Sequence, residues 1–425
     1  MSFRTLLPAI ALIGAFSLTA CNGDGTLSPT PRPPQAVFAK WCNGLEPDWV
    51  AVQDGDSAWT QLQPTSANGQ VTFHHDFVSD RGAIATLQIL GGGFTALQVL
   101  YGTPDELSTV GNTKPLFCDQ TSPISKVLLG GIVGVDTNET VLMAGDLSQD
   151  GSPWGGGGFS LPNISEGPHD VIAVRSTRIN GQSDVTGFIL RRDVDLPDST
   201  YMPVVDFASN ETITPVSQTL TLNGQDASGA SIFTRLITPT SEVPLINQHV
   251  TSQLLARVFK VLPENKLRAG DLFELQAQAV SPGTGGPRLI VQYFRTPSDR
   301  SLTLPAALLK PTITTVATTP RLRLKAHFTP QADYDRRYGI TYQQGTNLTV
   351  SVLMTAGYSA LAGGYDLTVP DLNGVPGFDP AWALQAGTAI LWNAGAQGGT
   401  MGLGVDALPA DGLFRTGGGV IGSIP

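Results

Sequence analysis

Residues 321–326 have the sequence Arg321-Leu322-Arg323-Leu324-Lys325-Ala326, in which charged and apolar side chains alternate strictly. Successive side chains of a β-strand point to opposite faces of its sheet, so this period of two predicts a strand with one buried face. The segment Leu348–Thr355 is rich in β-branched residues and predicts another clear strand close by. This part of the chain therefore favours a β fold over a helical one.

Short strand-like segments bounded by turn residues recur through the rest of the chain. We predict further strands at residues 48–53, 70–77, 83–90, 94–101, 219–222, 272–280 and 288–294. Residues 254–262 fit either a strand or a short helix. The glycine-rich C-terminal stretch predicts only loose pairing, because glycine weakens a strand interior.

Composition supports the same fold class. The 425 residues are 41% hydrophobic and only 14% charged, with 48 glycines and 31 prolines. Turn signals recur about every ten residues, which is typical of sandwiches and barrels. The chain is also too long for a single core. We therefore predict an all-β protein with three or four tandem Ig-like or prealbumin-like β-sandwich modules.

The N-terminus has the pattern of a secretion signal. Arg4 precedes an apolar run over residues 6–16, which is too short to span a bilayer comfortably. The next segment, Leu18-Thr19-Ala20-Cys21, resembles the lipobox of bacterial lipoproteins. That resemblance implies cleavage before Cys21, fatty acylation of its thiol and anchoring of the protein to a membrane by lipid.

Two details bear on this interpretation. The alternative is an ordinary cleaved signal with a chance cysteine, but such a site prefers a small residue where Leu18 stands. Asn22, rather than aspartate, follows the cysteine. In lipoproteins of double-membraned bacteria this favours the outer membrane, so we expect a lipid-anchored protein of the bacterial cell envelope.

The segment after the cysteine predicts a disordered spacer. It is almost free of apolar residues and ends in four closely spaced prolines, which favour an extended polyproline II conformation. The predicted organisation is a signal peptide at 1–20, a lipidated tether at 21–36, a disulfide-closed β module at 37–120, a β-sandwich at 121–210, a β module at 211–310 and a C-terminal β module at 311–425.

The β-sandwich predicted at 121–210 carries a further resemblance. Its order is a glycine-punctuated apolar segment at 127–134, a Gly-x-Phe-x-Leu segment at 157–164 and an apolar strand after Gly167. This order resembles the carboxypeptidase-regulatory-like or prealbumin-like β-sandwich. The resemblance implies a spacer or binding domain rather than a catalyst.

The chain contains three cysteines. With Cys21 acylated, Cys42 and Cys118 remain, and an exported context predicts a disulfide between them. In the chain-entropy model such a bond contributes roughly 4 kcal/mol. The alternative is a pair of buried free thiols.

The formal charge of −10 is unevenly distributed. Residues 1–210 contain 10 basic and 21 acidic side chains, and residues 211–425 contain 15 and 14. An acidic half nearest the membrane argues against nucleic acid as a partner.

One segment resembles part of a calcium loop. Asp146, Ser148 and Asp150 place oxygen atoms at alternate positions before Gly151. Calcium loops of this kind close with a bidentate acid at position twelve, which here is Gly157. The alternative is a hairpin loop rich in Asp, Ser and Gly. No other cofactor is predicted.

Aromatic residues suggest two surfaces for ligand binding. Tyr338 and Tyr342 would share one strand face, and Trp382 and Trp392 follow them, so together they form a candidate binding platform. Three tryptophans could stack on a sugar if exposed, because they lie close in sequence to acidic residues: Trp41, Trp49 and Trp59 beside Glu46, Asp48, Asp54 and Asp56. For each set, the alternative is packing in the core.

Two polar clusters have simpler explanations beside the functional ones. His74-His75-Asp76 suggests a metal site, but on a strand the two histidines point to opposite faces. A basic set around residues 321–337 suggests a patch for phosphate or lipopolysaccharide; its members are Arg321, Arg323, Lys325, Arg336 and Arg337. The alternative is a solvated strand face.

The sequence lacks the local motifs of several enzyme classes. It has no Gly-x-Ser-x-Gly, no His-Glu-x-x-His, no Walker lysine loop and no dinucleotide-binding fingerprint. Carboxylates brought together by folding leave no such motif. We therefore expect a structural, adhesive or binding role in the envelope. The alternatives are a glycan-binding or glycoside-active surface protein and an accessory subunit of an envelope complex.

Overall fold

Residues 323–328 form a strand in the computed structural model, and its side chains alternate as the sequence predicts. Leu324, Ala326 and Phe328 are buried, whereas Arg323 and Lys325 are half-buried on the other side. The structure describes residues 35–42, 46–67, 70–111, 126–146, 148–152, 156–164, 167–179, 182–195, 200–224, 229–250, 256–281, 286–402 and 409–424. Residues 34–425 form one compact unit.

The described residues before 207 form fifteen strands and one α-helix. The strands are β1 (Gln35–Cys42), β2 (Trp49–Asp54), β3 (Thr60–Gln61), β4 (Thr65–Ala67), β5 (Gln70–Phe77), β6 (Gly82–Leu90), β7 (Phe94–Gly102), β8 (Lys126–Val133), β9 (Glu139–Gly145), β10 (Ser148–Ser152), β11 (Gly157–Ile164), β12 (Pro168–Ile179), β13 (Gln182–Asp195), β14 (Thr200–Tyr201) and β15 (Val205–Asp206). Helix α1 spans Pro104–Gly111, and a 3₁₀ turn spans Gly91–Gly93.

The described residues after 207 form fourteen strands and a second α-helix. The strands are β16 (Val216–Asn223), β17 (Ala230–Thr238), β18 (Ser241–Val250), β19 (Ala256–Val261), β20 (Leu272–Val280), β21 (Pro287–Phe294), β22 (Arg300–Thr303), β23 (Thr312–Ala317), β24 (Arg323–Phe328), β25 (Arg337–Gln344), β26 (Leu348–Thr355), β27 (Tyr365–Thr368), β28 (Ile390–Gly399) and β29 (Phe414–Ile424). Helix α2 spans Ala356–Ala362, and 3₁₀ turns span Glu264–Lys266 and Pro380–Trp382.

The prediction of an all-β fold is confirmed, since about 60% of the structure is strand and 7% is helix. Predicted strands at 70–77, 272–280 and 348–355 coincide with β5, β20 and β26. The ambiguous segment 254–262 contains strand β19, not a helix. Local side-chain period was therefore a sound guide to the individual strands.

A twelve-stranded sheet organises the unit. Its order is β18-β17-β20-β21-β29-β28-β25-β26-β7-β6-β2-β3. Most neighbours are antiparallel, but β7 and β26 run parallel, with Thr95 opposite Leu348. The sheet thus contains strands from the predicted ranges 37–120, 211–310 and 311–425, and the division into modules stays a prediction.

One face of this sheet carries two hydrophobic cores. The three-stranded sheet β23-β24-β27 packs over its β28-to-β2 part, around a core that includes Tyr338, Tyr342 and Phe328. The three-stranded sheet β19-β16-β22 packs over its β17-to-β21 part, around Phe259, Phe273 and Phe294. The large sheet is therefore one layer of two adjoining sandwiches.

Residues 126–207 form their own pair of sheets. Strands β10-β9-β12-β13 face strands β11-β8-β14, with β15 also paired to β8, around a separate core containing Met143, Phe159 and Ile189. The sheets β1-β5-β4 and helix α1 contact the other face of the large sheet near β2, β6 and β7.

The prediction that the C-terminal glycine-rich stretch pairs loosely is wrong. Strand β29 lies inside the large sheet, bonded to β28 on one side and to β21 on the other. Its glycines make room for aromatic rings: a Cβ at Gly418 would lie 2.3 Å from the Tyr334 Oη, and one at Gly422 would lie 2.2 Å from Trp392 Cζ2. The rings cover the glycine backbone, and their burial compensates for the weak propensity of glycine.

Several predictions fall outside the described residues. These include the signal peptide, Cys21, nearly all of the tether and Cys118, whereas Cys42 is the last residue of β1. The lipidation of Cys21 and the Cys42–Cys118 disulfide stay predictions. Within the described part of the chain, no helix has the length and hydrophobicity to cross a membrane.

Candidate functional site

A polar cleft of about 720 Å³ lies where the turn after β2, helix α2 and the sheet β23-β24-β27 meet. We call it the Asp366 cleft. Its lining includes Asp56, Trp59, Arg81, Arg323, His327, Tyr358, Asp366 and Asp371. Its volume falls within the range of about 300–1,000 Å³ that is usual for ligand pockets.

The first wall is the turn that follows β2. Gly55 adopts a left-handed backbone (φ +58°), which reverses the chain after Asp54. The Asp54 carboxylate accepts hydrogen bonds from the backbone N–H groups of Val78 (2.8 Å) and Ser79 (2.9 Å). Burial opposes ionisation of this carboxyl group, but these hydrogen bonds outweigh it and lower its pKa. They hold the turn in place beside the β5–β6 connection.

Arg81 connects this turn to helix α2. Its guanidinium donates to the Asp56 carboxylate at 2.6 Å and lies 5.6 Å from the centre of the Tyr358 ring. The hydrogen bond to Asp56 raises the pKa of Arg81. Tyr358 is held there because the hydroxyl of Thr355 caps the helix by accepting from the Tyr358 backbone N–H. The contact with the ring orients the guanidinium.

The opposite wall is formed by β24 and β27. His327 and Asp366 are paired residues of the two strands, and the His327 Nδ1 lies 2.7 Å from an Asp366 oxygen. Lys325 donates to the other oxygen at 3.3 Å. The hydrogen bond from His327, opposed by burial and supported by Lys325, lowers the pKa of Asp366. Asp366 therefore stays ionised at neutral pH.

The third part of the cleft is the segment after β27. Arg323 lies 3.7 Å from the Asp371 carboxylate and donates through Nε to the Val369 carbonyl at 3.1 Å. The Tyr101 hydroxyl donates to the Thr368 carbonyl at 3.2 Å. Three carboxylates, each beside a basic side chain, therefore surround one cleft. They come from distant parts of the chain.

The tryptophans near the first acidic cluster differ in exposure. Trp59 is half-buried and lines the Asp366 cleft beside Asp56. Trp49 is buried, donates to the Pro376 carbonyl at 3.0 Å and packs against Phe378. Trp59 is therefore the aromatic residue available to a ligand in this cleft.

The lowered pKa of Asp366 does not suit this residue to the role of a catalytic acid. Glycoside hydrolysis needs a carboxylic acid with a raised pKa to protonate the leaving group. The pKa of Asp366 is lowered, and Asp56 and Asp371 each lie against a guanidinium. Together the groups offer closely spaced hydrogen-bond donors and acceptors next to an aromatic ring, which suits a ligand rich in hydroxyl groups.

The predicted aromatic platform lies mainly in the core. Tyr338 and Tyr342 do share one strand face, and it is the buried one, with 0% of each residue exposed. Trp392 is buried in the same core, and Trp382 packs against that core and is half-buried. Tyr338, Tyr342 and Trp392 therefore offer no surface to a ligand.

The calcium-like segment is a β-hairpin. Asp146 has a left-handed backbone (φ +53°) at the turn, and β10 pairs back onto β9 with Ser148 opposite Gly145. The Asp150 carboxylate accepts from the Ser160 N–H at 2.6 Å, so it is engaged by the backbone of β11. This arrangement corresponds to the hairpin-loop alternative.

The side chains of the two remaining polar clusters, the histidine segment and the basic set, do not come together at one site. His74 lies 3.0 Å from Asp76, whereas His75 points to the other face, 3.7 Å from Asp54. In the described part of the chain, no three histidine, cysteine or acidic residues are placed to hold a metal ion. Of the basic set, Arg323 lines the Asp366 cleft, and Arg337 lies on the opposite face of the large sheet.

Sequence patterns revealed only part of the cleft. Trp59 and Asp56 were recognisable as an aromatic residue beside acids, and Arg323 as part of an alternating strand. Arg81, Tyr358 and Asp366 carry no local motif, because the cleft depends on strand pairing between distant segments. Neither a protein-family model nor a curated protein matches this chain.

Proposed function

We propose that this protein is a lipid-anchored binding protein of the bacterial envelope that holds a glycan in the Asp366 cleft. The proposal rests on the lining of this cleft. Three carboxylates, each beside a basic side chain, and the half-buried ring of Trp59 line the same cavity. Sugars present apolar ring faces to aromatic side chains and hydroxyl groups to charged hydrogen-bonding groups. This cleft offers both kinds of contact.

The charge arrangement supports a ligand without a strong net charge. Each carboxylate in the lining is matched by a neighbouring cation: Asp56 by Arg81, Asp371 by Arg323, and Asp366 by Lys325. Paired charges leave little net field but many directed donors and acceptors. We therefore expect specificity to come from hydroxyl geometry.

The location of the protein is part of the proposal. The lipobox-like Leu18-Thr19-Ala20-Cys21 supports an outer-membrane lipoprotein, with the proline-rich segment as a spacer below the folded unit. Within that unit, we propose that residues 126–207 act as a prealbumin-like spacer module. A glycan-binding unit held near the membrane would serve adhesion or capture of envelope polysaccharide.

The binding proposal is tested with the full-length chain in detergent on a glycan array, followed by titration calorimetry with the best glycan. We expect binding to a saccharide of two or more sugars. Trp59→Ala and Asp366→Asn should each weaken it at least tenfold, because one removes the stacking ring and the other the central acceptor.

Two matched variants serve as controls. Tyr201→Ala removes an aromatic residue that is 80% exposed and lies outside the cleft, and Asp193→Asn alters an exposed ion-paired carboxylate. Both should bind as the unaltered chain does. Absence of any glycan ligand, or equal affinity in Trp59→Ala and Asp366→Asn, would refute the proposal.

The anchor is tested separately by metabolic labelling with palmitate. We expect label in the unaltered chain and none in Cys21→Ser, which should also leave the membrane fraction. Label that persists in Cys21→Ser, or membrane association that does not depend on Cys21, would contradict the anchor while leaving the glycan proposal standing.

A further inference from the structure

A second cleft, of about 600 Å³, lies on the opposite face of the twelve-stranded sheet, above β25, β28 and β29. We call it the Arg337 cleft. Amide and hydroxyl side chains project into it from five strands: Gln98, Gln278, Thr341, Ser351, Asn393 and Gln397. Several are direct neighbours across strands, since Ser351 is paired with both Gln98 and Thr341, and Thr341 with Asn393. The cleft therefore has a continuous polar lining.

Arg337 is the one charged residue among the described residues that line this cleft. Its side chain is half-buried, and no hydrogen bond or ion pair engages it within the described part of the chain. Burial and the nearby charge of Arg415 both lower the pKa of Arg337. A guanidinium nevertheless stays protonated in proteins, so an uncompensated positive charge lies in the cleft.

Such a charge is unfavourable unless an anion accompanies it. Removing a charged group from water without a partner is unfavourable in general. Elsewhere in the described structure, half-buried arginines such as Arg175 and Arg191 lie against carboxylates. Arg337 is different because its open side faces a cavity whose lining has no carboxylate.

Two glycines leave the floor of the cleft open, although the backbone does not require glycine at either position. Gly395 and Gly417 have no left-handed φ, and a Cβ on either would lie 3.6 Å from its nearest neighbour, an ordinary contact. The fold would accept a Cβ at both positions, and strands generally favour larger residues. The two glycines keep the space beside Arg337 empty.

We infer that the Arg337 cleft binds the carboxylate of an acidic saccharide. The guanidinium fork matches one carboxylate in bidentate geometry, and it is the one charged side chain among the described residues of the lining. The surrounding amide and hydroxyl groups match the hydroxyls of a sugar ring. This site lies on the other face of the sheet from the Asp366 cleft and does not depend on the function proposed there.

The test is titration calorimetry of the full-length chain with three probes: trigalacturonate, the neutral maltotriose and inorganic phosphate. We expect trigalacturonate to bind in low salt and the other two probes to bind at least tenfold more weakly. Arg337→Gln should lose at least tenfold in affinity for trigalacturonate, and Arg337→Lys should recover part of it. Arg295→Gln, which alters an exposed arginine outside the cleft, is the matched control and should change nothing.

Gly395→Val and Gly417→Val provide an independent test, because each narrows the cleft and leaves Arg337 in the sequence. We expect both to abolish binding of trigalacturonate with no fall in melting temperature. Arg337→Gln should also keep or raise the melting temperature, since it removes an uncompensated charge. Equal affinity for phosphate or maltotriose would overturn the inference, as would undiminished binding of trigalacturonate by Arg337→Gln or by either glycine variant. Variants at Trp59 and Asp366 should leave this binding unchanged.

Discussion

The carboxylate of Glu106 accepts a hydrogen bond from the Thr355 hydroxyl at 2.6 Å, between residues 249 positions apart. Glu106 also forms a capping box with Thr103, whose N–H donates to it at 2.9 Å, at the start of helix α1. Its other oxygen accepts from the Gly357 N–H at 3.1 Å, inside helix α2. One side chain therefore caps two helices, beside the parallel pair of strands β7 and β26.

Loss of this carboxylate should destabilise the unit. We expect Glu106→Ala to lower the free energy of unfolding by about 2–3 kcal/mol, because hydrogen bonds to charged groups are worth about 1.5–3 kcal/mol and several donors lose their acceptor. Urea unfolding followed by circular dichroism measures the change. The control is Ser108→Ala in the same helix, which removes an exposed hydrogen bond to the Asp105 carbonyl and should cost less than about 0.5 kcal/mol. A loss equal to that of Ser108→Ala would show that the double cap adds nothing.

A buried ion triad joins the sandwich of residues 126–207 to the strand β20 region. Arg192 donates to Asp170 at 2.8 Å and to both oxygens of Asp271, at 3.0 and 2.5 Å. We expect Arg192→Met to cost about 3–5 kcal/mol, because it leaves two buried carboxylates without their counter-ion. Arg268→Gln breaks an exposed pair with Asp193 and should cost less than about 1 kcal/mol.

Both variants are compared by chemical unfolding at pH 7. If Arg192→Met proved no more costly than Arg268→Gln, the triad would not be a significant contributor to stability.

The lowered pKa of Asp54 predicts a dependence of stability on pH. Because the folded pKa is below the unfolded one, the ionised carboxylate stabilises the fold above about pH 4. This contribution is lost as the pH falls through both values. At pH 7 we expect Asp54→Asn to be less stable by about 1 kcal/mol, and this difference should shrink as the pH falls below about 4. Unfolding in urea at a series of pH values gives the comparison.

Asp80→Asn, which changes an exposed carboxylate in the adjacent turn, is the matched control and should cost less than about 0.5 kcal/mol at pH 7. A difference for Asp54→Asn that stays constant from pH 7 to pH 2 would contradict the assigned role.

Loss of the hydroxyl group should affect stability differently at two tyrosines of strand β25. The Tyr338 hydroxyl accepts from the Gln331 N–H at 2.8 Å, whereas the buried Tyr342 hydroxyl has no partner among the described residues. We expect Tyr338→Phe to cost about 1 kcal/mol and Tyr342→Phe to be neutral or stabilising by up to about 1 kcal/mol. Thermal unfolding of the two variants measures this contrast directly, and a larger loss in Tyr342→Phe would refute it.

These tyrosines also show how far sequence reasoning reaches. Alternation places Tyr338 and Tyr342 on one face of a strand, which the structure confirms. The alternation does not say whether another sheet covers that face. The opposite face carries Gly339 and Thr341, so it is neither clearly polar nor clearly apolar. Burial depends on the sheet β23-β24-β27, whose approach no local pattern encodes. The binding platform and the core were therefore indistinguishable from sequence.

The pairing of strands could not be predicted from the sequence, for a related reason. The apolar period of β7 and β26 specifies two strands, but not that they lie side by side in parallel. The Asp366 cleft exists only because of such pairings, since they bring Arg81, Asp366 and Tyr358 together. Residues with a local partner, such as Trp59 beside Asp56, were the part of the site that sequence could identify.

The position of strand β29 has a consequence for the order of folding. Residues 414–424 lie between β21 and β28, so they join the four-stranded and seven-stranded parts of the large sheet. During synthesis from the N-terminus, strands of each part can pair early, but the two parts can be connected only after residues 414–424 have been made. Non-local pairing of this kind makes folding slow, because loop-closure entropy is lost before the contacts form. Completion of the sheet is thus a late step, and until then the edges of β21 and β28 remain open to other chains.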